Sequence, residues 1–398
     1  MGMRSEIPAR LILLVGSNPL PNYLSACALR PHRVALVYTT ETVTAKDRLK
    51  VELDLALGGR AAFVDPDPLV EDATCATTVQ RTLDDLARSS GGDIDQLNYT
   101  GGTKVMAAHA RMAFMQNGGR PECASYLDEG GEGGQPRLRF DDGTSKELSL
   151  LPDVSLDLRA ILALHGITHK PRTLRDPAPT REDAEKILLA VLRDVSVAEK
   201  LYMERKRLEG LGKPLAANTK PFDANAFGLD MSAPNIPDSA CMNRKAYEQW
   251  YKFIGGEWLE HWLGQQIEEL GLEPTPEIVV GVNASRGTQR ANLEVDVAVV
   301  RGHRSYFISC TADTTKSICK SKLFEVAVRS RHLGGDLARA ALLCLADDRT
   351  VAALQADIDD LWGASNTTRV FGISDVRSWS RCDGKKPNRY SLKTWLEN

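Results

Sequence analysis

This chain of 398 residues has little that points to metal clusters, membranes or a broadly basic surface. Its eight cysteines (Cys27, Cys75, Cys123, Cys241, Cys310, Cys319, Cys344 and Cys382) are scattered, with no CxxC pair. The seven histidines form no HExxH or comparable ligand group. A structural zinc is therefore not expected, and a reducing, cytoplasmic compartment is. No apolar run approaches the length of a membrane span and the first residues carry no signal-peptide pattern, so no membrane partner is expected. The formal net charge is −3, with 26% charged residues. Without a global basic field, any contact with nucleic acid has to be local. There is no internal repeat, and no GxGxxG follows the first strand, which argues against a dinucleotide site. The length suits two domains and a connector.

What is present begins with a glycine-rich turn, Asn98-Tyr99-Thr100-Gly101-Gly102-Thr103-Lys104, ahead of a helix expected over 105–115. Two glycines let backbone come close to a bound group, two threonines offer hydroxyls, and a lysine offers charge. At a strand-to-helix junction this is a device for holding an anion. A second segment has the same form. Residues 11–15 are an apolar run that stops at Gly16-Ser17-Asn18-Pro19, a helix is expected over 20–29, and a strand over 33–38 ends at Thr39-Thr40. Strand, polar turn, helix, strand is the rhythm of a parallel α/β sheet, whose ligands gather at the carboxyl ends of strands. Gly16, Ser17, Asn18, Thr39, Thr40 and Thr100 to Lys104 would then share one edge.

A hairpin is expected across 124–140, turning at 129–134. Residues 152–179 become irregular and rich in Pro, Arg and Thr, which marks a domain boundary. Thr180-Arg181-Glu182-Asp183 resembles a capping box, and its helix is expected to run to about Arg207. Residues 214–237 read as a long loop. In the last region helical spacing runs over 247–270, followed by strands at 278–282, 292–300 and 306–311. A helix over 320–333 then stops at Gly334-Gly335, and a strand follows at 340–345. Helix, three-stranded meander, helix, strand is the order of a restriction-endonuclease-like core.

These motifs, in this order, resemble the CARF-domain PD-(D/E)xK nucleases of type III CRISPR immunity. The CARF-like ones are Gly16-Ser17-Asn18-Pro19 and the turn from Asn98 to Lys104. The nuclease-like ones are Gly256-Glu257-Trp258-Leu259-Glu260, Glu294-Val295-Asp296-Val297, Phe307-Ile308-Ser309-Cys310 and Lys322-Leu323-Phe324-Glu325. The fold class implied is α/β: a Rossmann-like CARF domain over 1–155, a helical connector and loop over 156–243, and a restriction-endonuclease-like domain over 244–398. The resemblance implies a cyclic oligoadenylate as activator, most often cyclic tetra-adenylate, gripped across a homodimer's two-fold axis. It implies DNA or RNA as substrate and Mg²⁺ or Mn²⁺ as cofactor. Lys104, the amides of Gly101 and Gly102 and the hydroxyls of Thr100 and Thr103 suit phosphates and ribose, and Ser17 and Asn18 suit ribose or adenine edges. The plain alternative for Asn18 is a helix cap.

A PD-(D/E)xK site holds its metal on carboxylates and sets a lysine beside the attacking water. Asp296 falls where the first strand carboxylate belongs, inside an otherwise apolar strand where an unpaired carboxylate would be costly. Glu260, on the preceding helix, is the second expected metal ligand, and Glu294 shares the strand face of Asp296. The next strand departs from the family's Glu-x-Lys or Ser-x-Lys, because Ser309, Cys310 and Thr311 stand there. Three readings follow. A lysine from the following helix (Lys320 or Lys322) reaches the site; or the domain binds nucleic acid without cutting it; or Cys310 acts as a thiol nucleophile. The first is favoured, with Glu260, Glu294, Asp296, Ser309, Thr311, Lys320 and Lys322 as candidate catalytic residues. The alternatives are a sensor with an inactive nuclease fold and a CARF domain that cleaves its own ring.

Overall fold

The structure is a computed structural model. It describes residues 9–89, 95–129, 135–148, 154, 156–169, 174, 178–210, 227, 244–285, 292–362, 367–381 and 386–397. The first half runs β1 (Arg10–Leu14), α1 (Leu20–Leu29), β2 (Arg33–Val37), α2 (Val43–Ala56), β3 (Ala62–Phe63), α3 (Ala76–Arg88), β4 (Asp95–Asn98), α4 (Lys104–Gln116), β5 (Ala124–Asp128), β6 (Arg137–Phe140) and β7 (Ser145–Glu147). Among the described residues these strands form one sheet in the order β3-β2-β1-β4-β5-β6-β7. The first five are parallel and the last two antiparallel. Winding reverses between β1 and β4, which opens a crevice at their carboxyl ends. β1 is wholly buried, as its unbroken apolar run requires. β4 is polar in sequence, and side chains hold it in place: Arg10, fully buried, pairs with Asp95 at 2.6 Å. The hairpin strands lie where the sequence puts them; residues 130–134 of its turn fall outside the described residues.

The second half runs α5 (Leu158–Leu164), β8 (Thr168–His169), α6 (Arg181–Arg193), α7 (Ser196–Gly210), α8 (Arg244–Lys252), a π-helical segment (Phe253–Glu257), α9 (Trp258–Glu268), β9 (Glu277–Ser285), β10 (Asn292–Arg301), β11 (Arg304–Thr311), α10 (Lys316–Gly334), β12 (Arg339–Cys344), α11 (Asp348–Trp362), β13 (Thr368–Phe371), α12 (Ile373–Trp379) and α13 (Tyr390–Glu397). Its sheet has the order β13-β12-β11-β10-β9-β8. β9, β10 and β11 are an antiparallel meander, and β12 and β13 continue it in parallel.

The expected capping box is present. The Thr180 hydroxyl accepts the Asp183 amide, and the Asp183 carboxylate accepts the Thr180 amide at 2.7 Å. The helix it opens does not run to Arg207. It ends at Arg193, because Asp194 turns extended and its carboxylate accepts the Ser196 amide that opens α7. The single helix expected over 247–270 is also interrupted. The turn widens at 253–257, where Gly256 has φ 157°, a conformation side chains disfavour. α6 and α7, expected as connector, bury Ile187, Leu188 and Leu201 in one core with Trp258 and Trp262 of α9. Residues 214–237, apart from Phe227, lie outside the described residues.

Another core crosses from one half to the other. Leu11, Leu24 and Leu36, then Ile161 of α5, and then Val282, Phe307, Leu323 and Leu342 belong to a single buried cluster. Backbone bonds seal the seam. The Leu156 amide donates to the Gly302 carbonyl at 3.1 Å, and the Leu158 amide to the Glu277 carboxylate at 2.7 Å.

Candidate functional site

The turns after β1 and β4 meet at the crevice between those strands. Gly101 packs so closely on the end of β1 that a methyl group there would overlap the Leu14 carbonyl oxygen. A methyl group on Gly16 would lie 3.1 Å from the Gly102 amide nitrogen. The glycines therefore let two loops touch, and this builds the cradle floor. Asn22 of α1, absent from the sequence-level candidates, fixes the same junction. It is fully buried and donates to the Leu14 carbonyl at 2.9 Å. Its signal was a lone amide in an apolar helix.

The polar groups of the cradle divide into two sets. The Thr100 hydroxyl donates to Asn98 Oδ1 at 2.8 Å and accepts the Leu127 amide at 2.6 Å. The Thr103 hydroxyl donates to the Ala73 carbonyl and caps α4 by accepting the Met106 amide, each at 3.1 Å. Thr39 is buried and its amide donates to the Thr42 hydroxyl at 2.9 Å. The hydroxyls of Thr100 and Thr103 and the amide of Thr39 shape the loops. Asn18 is not the cap of α1, which is Pro19; it stands one residue ahead, its Oδ1 accepting the Leu20 amide at 3.1 Å in a turn that does not use its side-chain NH₂. Ser17, Thr40 and Lys104 are exposed at the rim. Lys104 stands at the amino end of α4, a 13-residue helix whose first-turn amides and dipole favour an anion. Behind the cradle, the Tyr99 hydroxyl donates to Asp141 at 2.6 Å and Arg111 pairs with the same carboxylate at 2.5 Å. Burial and the Asp141 hydrogen bond push the Tyr99 phenol up.

At the other site, Asp296 on β10 faces Ser309 on β11. The ladder between the two strands stops at Val297–Ile308, and Asp296 Oδ2 accepts the Ser309 hydroxyl at 2.9 Å and the Cys310 amide at 2.6 Å. Lys322, two turns into α10, brings its ammonium to 4.0 Å from the same oxygen and donates to the Cys310 carbonyl at 3.3 Å. A helix lysine thus stands where the strand carries none. Lys320 does not join it. Two residues apart on a helix is about half a turn, and its ammonium pairs with Asp357 of α11 at 2.9 Å. Thr311 is buried, and its hydroxyl accepts the Asp313 amide at 3.2 Å to shape the turn into α10. Glu294 is exposed, and its backbone carbonyl accepts Arg329.

Cys310 is 6% exposed. Burial, then the charges of Asp296 and Glu260, push its thiol well up, which disfavours the thiolate that a nucleophile needs. Glu260 of α9 lies near enough for its charge to act on the same thiol. Among the described residues no three His, Cys, Asp or Glu side chains form a metal group.

No protein-family model matches the sequence, and no curated protein does. Solved structures do. The chain is similar to Can2 from Sulfobacillus thermosulfidooxidans, a structure in complex with cyclic tetra-adenylate, at 16% identity and a TM-score of 0.64, covering 97% of this chain and 99% of that one. It is similar to protein VC1899 from Vibrio cholerae at 14% identity and a TM-score of 0.66, covering 98% of each. Over nearly its whole length the chain has the fold of Can2 and of VC1899, here a Rossmann-like domain followed by a restriction-endonuclease-like one.

Proposed function

We propose that this protein is a homodimeric nuclease of the type III CRISPR response, switched on by a cyclic oligoadenylate, most readily cyclic tetra-adenylate. The observation that carries the reading is Lys322 at 4.0 Å from Asp296, a cation from α10 delivered to a partly buried strand carboxylate. Can2, which has the same fold, binds cyclic tetra-adenylate. The cradle between β1 and β4, with Lys104 and a helix amino terminus on its rim, has the chemistry for the phosphates of such a ring. A two-fold axis would let a symmetric ring meet the same loops from each subunit.

Mg²⁺ and Mn²⁺ take oxygen donors and keep much of their water, so one or two carboxylates suffice; Asp296 would supply one, with Glu260 of α9 as the further candidate. Such an ion, when bound, would polarise the phosphate and lower the pKa of its water. The chain's own residues do the rest. Ser309 and the Cys310 amide fix the Asp296 carboxylate. Lys322 places positive charge where negative charge builds during phosphodiester cleavage. Arg329, seven residues beyond Lys322 on the same face of α10, would offer a further contact to a substrate backbone.

A second reading has a specific observation in its favour: with no three-residue metal group among the described residues, the domain would bind nucleic acid without cutting it. One assay separates the two: labelled DNA and RNA, with and without each ring, in Mg²⁺ and in Mn²⁺. Ring-dependent cleavage lost in Asp296→Ala supports the nuclease. Tight ring uptake with no cleavage in either metal supports the binding module.

A further inference from the structure

Three elements from outside the nuclease sheet meet the carboxyl end of α10, two of them through hydrogen bonds. Asn18, in the turn after β1, packs near Gly335. A methyl group on Gly335 would lie 3.1 Å from Asn18 Nδ2, and at φ +60° that position suits glycine. The next amide, of Asp336, donates to Glu129 Oε2 at 2.9 Å, and Glu129 directly follows β5. From α5, the His165 Nε2 lies 2.7 Å from the Leu333 carbonyl, one of the last carbonyls of the helix. Two of these contacts belong to the cradle. Asn18 is in it, and the end of β5 is fastened to it by the Leu127 amide donating to the Thr100 hydroxyl.

The same helix carries Lys322. Thirteen residues separate Lys322 from Gly335, about 20 Å of axis at the usual rise. α10 is 19 residues long and packs along β11 and β12, so it shifts as a rod more readily than it bends. At 4.0 Å, Lys322 sits at the outer margin of an ion pair with Asp296, where a shift of about an ångström changes the interaction.

We propose that α10 is the lever through which the cradle governs the nuclease site. A ring seated in the cradle moves Asn18 and the end of β5. The Gly335–Asp336 turn follows, and α10 resets the distance between Lys322 and Asp296. This rests on the reading of the cradle as a cyclic-oligoadenylate site. Packed elements of this kind switch between discrete arrangements, so a small displacement at one end is delivered at the other.

The test is hydrogen exchange on the full chain, with and without cyclic tetra-adenylate, in the wild type, Glu129→Ala and Glu129→Gln. In the wild type the ring should alter exchange in the first half of α10, residues 316–324. Glu129→Ala should take up the ring as the wild type does in calorimetry, lose that distant response, and lose about tenfold in ring-dependent stimulation of cleavage. Glu129→Gln keeps an acceptor for the Asp336 amide and should behave as the wild type. Gly335→Ala, pressing on Asn18 from the opposite side, gives the same readout should Glu129→Ala not fold. An undiminished α10 response in Glu129→Ala overturns the lever. If the wild type takes up no ring, the cradle reading fails separately, and the lever is judged without ligand. Altered exchange at 316–324 in Glu129→Ala then supports it, and unaltered exchange removes it.

Discussion

Replacing Lys322 by alanine probes the nuclease site most directly. Two unit charges 4.0 Å apart interact by about 4 kcal/mol at an effective dielectric of about 20. The Lys322 side chain is 38% exposed, so water screens part of that. Loss of one group that stabilises transition-state charge costs about 10²–10³ in rate, and the partial exposure places Lys322→Ala near the lower figure. The fold should scarcely notice, because a half-exposed pair contributes at most about 1 kcal/mol. The assay is single-turnover cleavage of labelled DNA and RNA in Mn²⁺ with saturating cyclic tetra-adenylate, beside a thermal melt. Lys322→Arg should regain part of the rate. Lys320→Ala, whose ammonium is occupied by Asp357, should cleave as the wild type does. A Lys322→Ala protein that cuts at the wild-type rate would remove the lysine from the chemistry and leave the strand without a cation.

Other outcomes follow from the same geometry. Lys104→Ala should weaken ring uptake by about 1.5–3 kcal/mol, the worth of one charged hydrogen bond, and calorimetry showing unchanged affinity would move the phosphate site elsewhere. Thr180→Ala, which breaks the capping box, should cost about 1 kcal/mol in urea unfolding, and no loss would mean the cap contributes nothing to folding.

Stability should also depend on pH through two groups, partly buried Glu129 and buried His303, with opposite signs. Burial first, then the charge of Asp336, raises the Glu129 carboxyl from 4.5 to about 7, with Arg331 and Arg339 opposing. The folded state therefore holds the extra proton, and stability falls as pH rises through that window. Burial and the neighbouring Arg304 lower His303 from 6.5 to about 4, so its contribution rises with pH over that lower window. Glu129→Gln should remove the falling component, a difference on the order of 3 kcal/mol between pH 4.5 and 7. Parallel stability curves for the two proteins would show that Glu129 titrates as an ordinary carboxylate.

Much of this was legible in the sequence where one residue type can do only one thing. The apolar run before Gly16, the helix between Pro19 and Arg30, the hairpin strands, the Thr180 cap and the meander from β9 to β11 all fall where pattern and turn chemistry place them. β4 was obscured because Asp95 and Asn98 make it polar, and only Arg10 and Ser125, distant in sequence, show why it is a strand. The threonines of the cradle present the same difficulty. A hydroxyl free in sequence is claimed by the nearest amide once the loop closes, as at Thr100 and Thr103. Lys320 and Lys322 were equivalent candidates by spacing. The partner each meets depends on which face of α10 turns toward β10, and that is fixed by packing far along the chain.

The buried cluster that runs from Leu11 through Ile161 to Leu342 has a practical consequence. Severing the polypeptide near residue 155 would strip apolar surface from both pieces at once, so neither half should be obtainable as a well-behaved fragment. A calorimeter should record one heat-absorption peak for the intact protein, and two resolved peaks would mean that the two lobes melt as independent bodies.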